Sequence, residues 1–182
     1  MRSIIVGCGR VGAGLAEHLA RAGHEVVLID IATEAFNRLE PDFPGTAMRG
    51  DGTDESVLRR AGAEGADYFF ALTAGDNRNV LAAEMAAEMF AIEHVVAKIN
   101  DPVRAEAYTA LGLSTLCRTT SLIDDLGRYV GLPAIDGAGG VHVGASHHSH
   151  EATGPVVLPP AGAGLPVDRS PVGSGGRSSG EG

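Results

Sequence analysis

Ser3-Ile4-Ile5-Val6-Gly7-Cys8-Gly9-Arg10-Val11-Gly12 decides the fold. Three β-branched residues in a row, Ile4 to Val6, suit the pleat of a strand. They run straight into a G-x-G-x-x-G spacing. From Arg10 to Ala22 the pattern turns helical, with Leu15, Leu19 and Ala22 at core spacing and Gly23 as a C-terminal stop. In that setting Gly7 permits the tight turn, Gly9 lets a pyrophosphate approach the backbone, and Gly12 lets the helix pack close to the sheet. The first amides of the helix then face the phosphates, with a dipole contribution of roughly 0.3 to 1 kcal/mol.

The same alternation of short apolar run and helix-length stretch recurs downstream. Strand 1 is Ser3 to Val6 and strand 2 Glu25 to Asp30; a helix over roughly Ala32 to Leu39 is broken at Pro41 to Pro44 before strand 3, Thr46 to Arg49. The loop Gly50-Asp51-Gly52-Thr53-Asp54 precedes a helix from Glu55 to Ala61. Strand 4 is Tyr68 to Leu72, and the next helix begins after Thr73-Ala74-Gly75-Asp76, with Asp76 a good N-cap, and lasts to Phe90. Strand 5, His94 to Ile99, is followed by a helix starting at Pro102; strand 6, Ser114 to Cys117, leads to a last helix from Ser121 to Tyr129. Six such units in residues 1–134 predict an α/β fold: one Rossmann-type doubly wound parallel sheet of six strands, order 3-2-1-4-5-6, with helices on both faces. Its ligand crevice lies outside the carboxyl ends of strands 1 and 4.

Residues 135–182 have a different composition: no aromatic residue, 12 of the 26 glycines and 5 of the 9 prolines. Such a segment buries too little apolar surface to offset its ordering entropy, which predicts a disordered Gly/Pro/Ser/His-rich tail. Its His142, His147, His148 and His150 lack a cysteine or carboxylate frame, so no metal site is expected.

Formal charge is −9, and Lys98 is the sole lysine, so there is no basic face of the kind that neutralises the backbone of a nucleic acid. Cys8 and Cys117 are too few and too far apart for a disulfide framework or zinc site, which fits a reducing, cytoplasmic setting. No secretory leader or membrane-length apolar run is read in the chain.

Asp30 ends strand 2, 18 residues after Gly12, where this fold places the acid that accepts from adenosine ribose hydroxyls. Ile31 and Ala32 follow it rather than an arginine, so a 2′-phosphate finds no partner there, and NAD, ADP or ATP is expected over NADP. Arg10 can lie against the phosphates. Asp51 is placed near the adenine edge, and Thr73 with Asp76-Asn77-Arg78-Asn79 lines the far side of the crevice. Lys98, Asn100 and Asp101 end strand 5, within reach of the distal part of a ligand or forming an ordinary turn. The candidate contact set is therefore Gly7, Cys8, Gly9, Arg10, Val11, Gly12, Asp30, Ile31, Asp51, Gly52, Thr73, Ala74, Asn77 and Lys98.

Taken together, the glycine loop, Leu28-Ile29-Asp30, Gly50-Asp51-Gly52-Thr53-Asp54, Ala71-Leu72-Thr73 with Asp76-Asn77-Arg78-Asn79, and Ala97-Lys98-Ile99-Asn100-Asp101-Pro102 closely resemble the TrkA N-terminal domain family. These are the nucleotide-binding modules, also called KTN or RCK N-domains, of bacterial potassium transport regulators. The resemblance runs over about residues 1–130. It implies a cytoplasmic regulatory subunit that binds NAD(H) or ATP/ADP, forms a dimer or ring of dimers, and gates a membrane potassium transporter or channel at the inner face of the membrane. By position, Gly7, Gly9, Arg10 and Gly12 would hold phosphates, Asp30 the ribose and Asp51 the adenine side. Lys98 departs from the arginine common at its position, and the tail stands where the family carries a C-terminal regulatory domain.

Two other classes stay open on the residues alone: a small NAD-dependent oxidoreductase, and an NAD-binding module acting in trans with another subunit. A non-enzymatic regulator is the expectation, because a Tyr-x-x-x-Lys pair cannot form when the sole lysine, Lys98, has His94 four residues before it.

Overall fold

A computed structural model of the chain describes residues 1–135 and 139–144. In chain order the elements are β1 (Arg2–Val6), α1 (Arg10–Arg21), β2 (Glu25–Asp30), a 3-10 segment (Thr33–Arg38), β3 (Thr46–Arg49), α2 (Glu55–Arg60) and a 3-10 turn (Ala63–Gly65). There follow β4 (Tyr68–Ala71), α3 (Asp76–Phe90), β5 (His94–Lys98), α4 (Pro102–Ala110), β6 (Thr115–Leu116) and α5 (Arg118–Tyr129). The strands form one sheet in the order β3-β2-β1-β4-β5-β6, and every neighbouring pair is parallel. This is the architecture expected from the alternating pattern.

Strand side chains alternate between faces, and both faces of the central strands β1 and β2 are buried, which is why they read as unbroken apolar runs. Ile5, Val26 and Leu28 meet Ala13, Ala16 and Leu19 of α1 on one side. Ile4, Val6, Val27, Ile29 and Phe69 meet Val57 and Leu58 of α2 and Ala82, Ala83 and Ala86 of α3 on the other. Burial of a leucine such as Leu58, which is 0% exposed, stabilises by roughly 1.5 to 3 kcal/mol.

Three expectations are corrected. Thr33–Arg38 is a 3-10 segment rather than an α-helix over Ala32 to Leu39, and Leu39 N–H closes it on the Phe36 carbonyl. The Ala35 carbonyl, which an α-helix would offer to Leu39, accepts instead from Cys8 Sγ at 3.2 Å and Arg38 Nη1 at 3.3 Å. The last helix begins at Arg118, not Ser121. Within its first turn, Thr119 donates to the Asn100 carbonyl, Thr120 to Cys117 Sγ and Ser121 to the Cys117 carbonyl. The N-cap of α3 is Gly75, and Asp76 lies inside the first turn with its carboxylate pointed elsewhere.

α5 has no buried apolar residue; its one buried residue is Asp124. Past α5, Ile135 N–H donates to Asp124 Oδ1 at 2.7 Å, and His142 pairs antiparallel with Thr115 of β6. The histidines at 147, 148 and 150, and most of the segment expected to be a disordered tail, lie outside the described residues.

Candidate functional site

The chain leaves β1 toward β2 on one side and re-enters beside β1 as β4 on the other, so the carboxyl ends of β1 and β4 flank a topological switch point. Gly7 sits there with φ +106°, and a Cβ on it would lie 2.8 Å from the Thr73 backbone nitrogen. Glycine is thus required twice over, by conformation and by the approach of the β4 loop. A Cβ on Gly12 would lie 1.9 Å from the Gly7 carbonyl oxygen, so that glycine allows the first turn of α1 to close onto the loop. Gly9 is different: a Cβ there meets nothing within 4 Å. The middle glycine of the motif faces open space.

Gly9 is also the N-cap of α1 and supplies no side-chain cap. The first intrahelical bond runs from Ala13 N–H to the Gly9 carbonyl, leaving the N–H groups of Arg10, Val11 and Gly12 without helical acceptors. No acidic side chain stands in that turn, so the local field favours an incoming anion. Arg10 is exposed beside it and forms no ion pair among the described residues; Val11 is exposed as well. The Cys8 side chain faces the other way, buried against the Ala35 carbonyl, and burial together with the charge of Asp30 raises its thiol pKa. Only its backbone belongs to the loop surface.

That backbone is tied to the end of β2. Cys8 N–H donates to Asp30 Oδ2 at 2.7 Å and Ala32 N–H to Asp30 Oδ1 at 2.9 Å. A carboxylate has about four lone-pair sites, so two remain for hydroxyls. Asp30 is half-buried, and the next side chain, Ile31, is 49% exposed. The loop after β3 reaches the same place: Gly52 packs on Val6, where a Cβ would lie 2.2 Å from Cγ1. Asp51 Oδ1 accepts from Thr53 N–H and Thr53 Oγ1, bonds that hold its carboxyl below the usual carboxylate range, with Arg78 adding to the shift.

The far wall is set by Asn79, which is 0% exposed. Its Oδ1 accepts from Thr73 N–H at 2.8 Å and Thr73 Oγ1 at 2.7 Å, while its Nδ2 donates to the Thr73 carbonyl at 3.1 Å and the Lys98 carbonyl at 2.7 Å. One side chain thereby clamps the ends of β4 and β5 together. Asp76 extends the clamp, accepting from Asn100 N–H and Nδ2 and from Asp101 N–H. Burial pushes the Asp76 carboxyl up, but these bonds and Arg104 outweigh it and leave the group below its ordinary value. Asn77 Oδ1 accepts from Arg104 of α4, and Ala74 lies exposed in the loop between Thr73 and α3. Lys98 is half-buried at the end of β5; burial and the nearby Arg118 lower its ammonium pKa, with Asp76 opposing. The tetrapeptide Asp76 to Asn79 is expected from the sequence to line the crevice; the structure places Asn79 fully buried, and its clamping role carries no signal in spacing alone.

An open glycine, unsatisfied helix amides and an acid with spare acceptors, gathered at the carboxyl ends of a doubly wound parallel sheet, define a Rossmann-type domain. The chain belongs to the TrkA-N domain family, whose model matches residues 3–119. It is similar to the Trk system potassium uptake protein TrkA of Streptomyces coelicolor, at 41% identity over 160 residues covering 85% of this chain and 71% of that one. It spans about half the length, or less, of five further curated relatives. Among solved structures, the Kef CTD of Shewanella denitrificans in its AMP-bound form superposes with a TM-score of 0.62 at 23% identity, covering 71% of this chain and 79% of that one. The GsuK channel bound to NAD gives a TM-score of 0.58 at 22% identity, covering 71% of this chain and 23% of that one. Both share the fold. No helix among the described residues is long and apolar enough to cross a membrane.

Proposed function

We propose that this chain is a nucleotide-sensing regulatory subunit, without chemistry of its own, that controls a membrane potassium transporter or channel. The observation that carries the reading is the open surface over Gly9, bounded by the free amides of α1 on one side and by Asp30 on the other. NAD(H) or ATP/ADP fits it: the pyrophosphate or phosphates lie on the α1 amides under Arg10, the ribose hydroxyls on Asp30, and the adenine beside Ile31, Asp51 and Gly52. Thr73, Ala74, Asn77 and Lys98 face the distal half. The relatives named for Trk potassium uptake support the regulatory role, and the AMP and NAD held by proteins of the same fold support the ligand class.

The subunit works from the cytoplasm, docked to its partner at the inner face of the membrane, as a dimer or a ring of dimers. α5 supports the assembly, since Leu122, Ile123, Leu126 and Tyr129 are all more than half exposed along it. Binding energy acts by shifting a conformational equilibrium, for which a coupling of roughly 1 to 3 kcal/mol is typical. Calorimetric titration of one preparation with NADH, NAD, ATP and ADP tests the ligand, and potassium uptake in a host lacking its own regulator tests the role. Binding of at least one nucleotide with restored uptake is expected; absence of both defeats the reading.

A further inference from the structure

β6 is two residues long, Thr115–Leu116, and is the last strand of the parallel sheet. Its inner side is satisfied by β5, through Ala97 N–H to the Ser114 carbonyl and Ile99 N–H to the Leu116 carbonyl. Thr115 itself turns its N–H and carbonyl outward, an unpaired edge unless something covers it. Thr115 is nevertheless 0% exposed. Its N–H donates to the His142 carbonyl at 2.9 Å, and its carbonyl accepts from His142 N–H at 2.8 Å.

The route from α5 back to that edge is fixed at several points. Gly131, with φ +85°, ends α5, and Leu132 N–H reaches back to the Gly127 carbonyl at 3.0 Å, reversing the chain. Asp124, 2% exposed and paired with Arg128 at 2.7 Å, then takes Ile135 N–H. After the His142 pairing, Gly144 lies so close to the α4–β6 turn that a Cβ on it would fall 2.2 Å from the Gly112 carbonyl carbon and oxygen. Gly144 can take that seat because it is glycine.

We propose that residues 139–144 form an intramolecular strap that closes the β6 edge, so that the folded unit extends to Gly144 instead of ending near Ala134. The strap braces the strand that lies beside Lys98 and launches α5.

Amide exchange of the full chain, resolved by residue, tests it. Thr115 and His142 amides are expected to be protected in the wild type. Gly144→Val, whose side chain collides with Gly112, and His142→Pro, which removes one of the two hydrogen bonds, should each speed exchange at Thr115 by about tenfold or more. The amides of Ile5 and Leu28 should stay protected in the same samples, showing that the sheet core is intact. If Gly144→Val disturbs the core as well, His142→Pro decides, since it leaves the α4–β6 turn untouched. Unprotected Thr115 and His142 amides in the wild type, or unchanged Thr115 exchange in His142→Pro, would overturn the strap.

Discussion

Gly9 and Gly12 stand three residues apart in one motif and do opposite things. Gly9 opens onto empty space in extended backbone, φ −80° and ψ −174°, which any residue adopts. Gly9→Val should therefore leave the unfolding midpoint nearly unchanged and abolish nucleotide binding, because the branched side chain fills the space of the pyrophosphate. Gly12→Ala should do the reverse first: its methyl meets the Gly7 carbonyl at 1.9 Å, and overpacking of this kind costs about 1 to 3 kcal/mol or more in denaturant unfolding. Normal nucleotide affinity in Gly9→Val would remove the loop as the site. The proposed site gives Asp30 two duties, and the sequence spacing suggests one of them. A ribose acid at the end of β2 follows from the motif, whereas its bond to Cys8 N–H joins residues that only the folded sheet brings together. Asp30→Ala should weaken NAD(H), ATP and ADP by roughly tenfold to a hundredfold, the equivalent of a hydrogen bond to a charged group, and should narrow the preference for NAD over NADP. Asp30→Asn, which keeps an acceptor for the loop, separates the two duties: an equal loss in both variants traces to the charge, a smaller loss in Asn to loop support. Unchanged discrimination against NADP in both would show that Asp30 does not touch the ribose.

Elements with a strong period were readable, and elements settled by distant partners were not. The central strands and α1 follow from local apolar patterning, whereas β3, Thr46–Arg49, is mostly exposed and carries little of it. The Thr33–Arg38 segment became 3-10 because a thiol from the glycine loop competes for its Ala35 carbonyl, and α3 took Gly75 as its cap because Asp76 is drawn across to Asn100 and Asp101. That last network makes a pH prediction. The folded-state pKa of Asp76 is below its unfolded value of about 3.9, so the stability it contributes is full above that value and is lost as pH falls through the folded pKa. Asp76→Asn should be less stable by about 1.5 to 3 kcal/mol at neutral pH, the range for hydrogen bonds to a charged group. Below pH of about 4 the gap between variant and wild type should shrink, as protonation strips the wild type of the same bonds. Melting curves between pH 7 and about 2.5 check this, and a constant gap across that range would mean that Asp76 is not the titrating link between the β4 and β5 ends.

At the scale of the molecule, the apolar surface is unevenly placed. Nine of the fifteen exposed large apolar side chains among the described residues fall between Leu122 and Val143, on α5 and the chain returning from it. The sequence marks a last helix but cannot say that its apolar side lacks a cover, since that depends on where the preceding β6 releases it. A helix whose one buried residue is an aspartate is not held by its own domain's core, and in water such a face is stable when a partner removes it from solvent. The simplest partner of matching chemistry is a second copy, because a two-fold arrangement sets the same apolar stripe against itself. Leu126→Glu places a charge in the middle of that stripe, where Leu126 is 60% exposed and so costs the isolated fold little. Sedimentation velocity should show the wild-type chain as a dimer or larger and the variant as a monomer, while calorimetry gives unchanged nucleotide stoichiometry per chain. Identical sedimentation of the two proteins would take α5 out of the assembly and leave its apolar face to a partner other than a second copy.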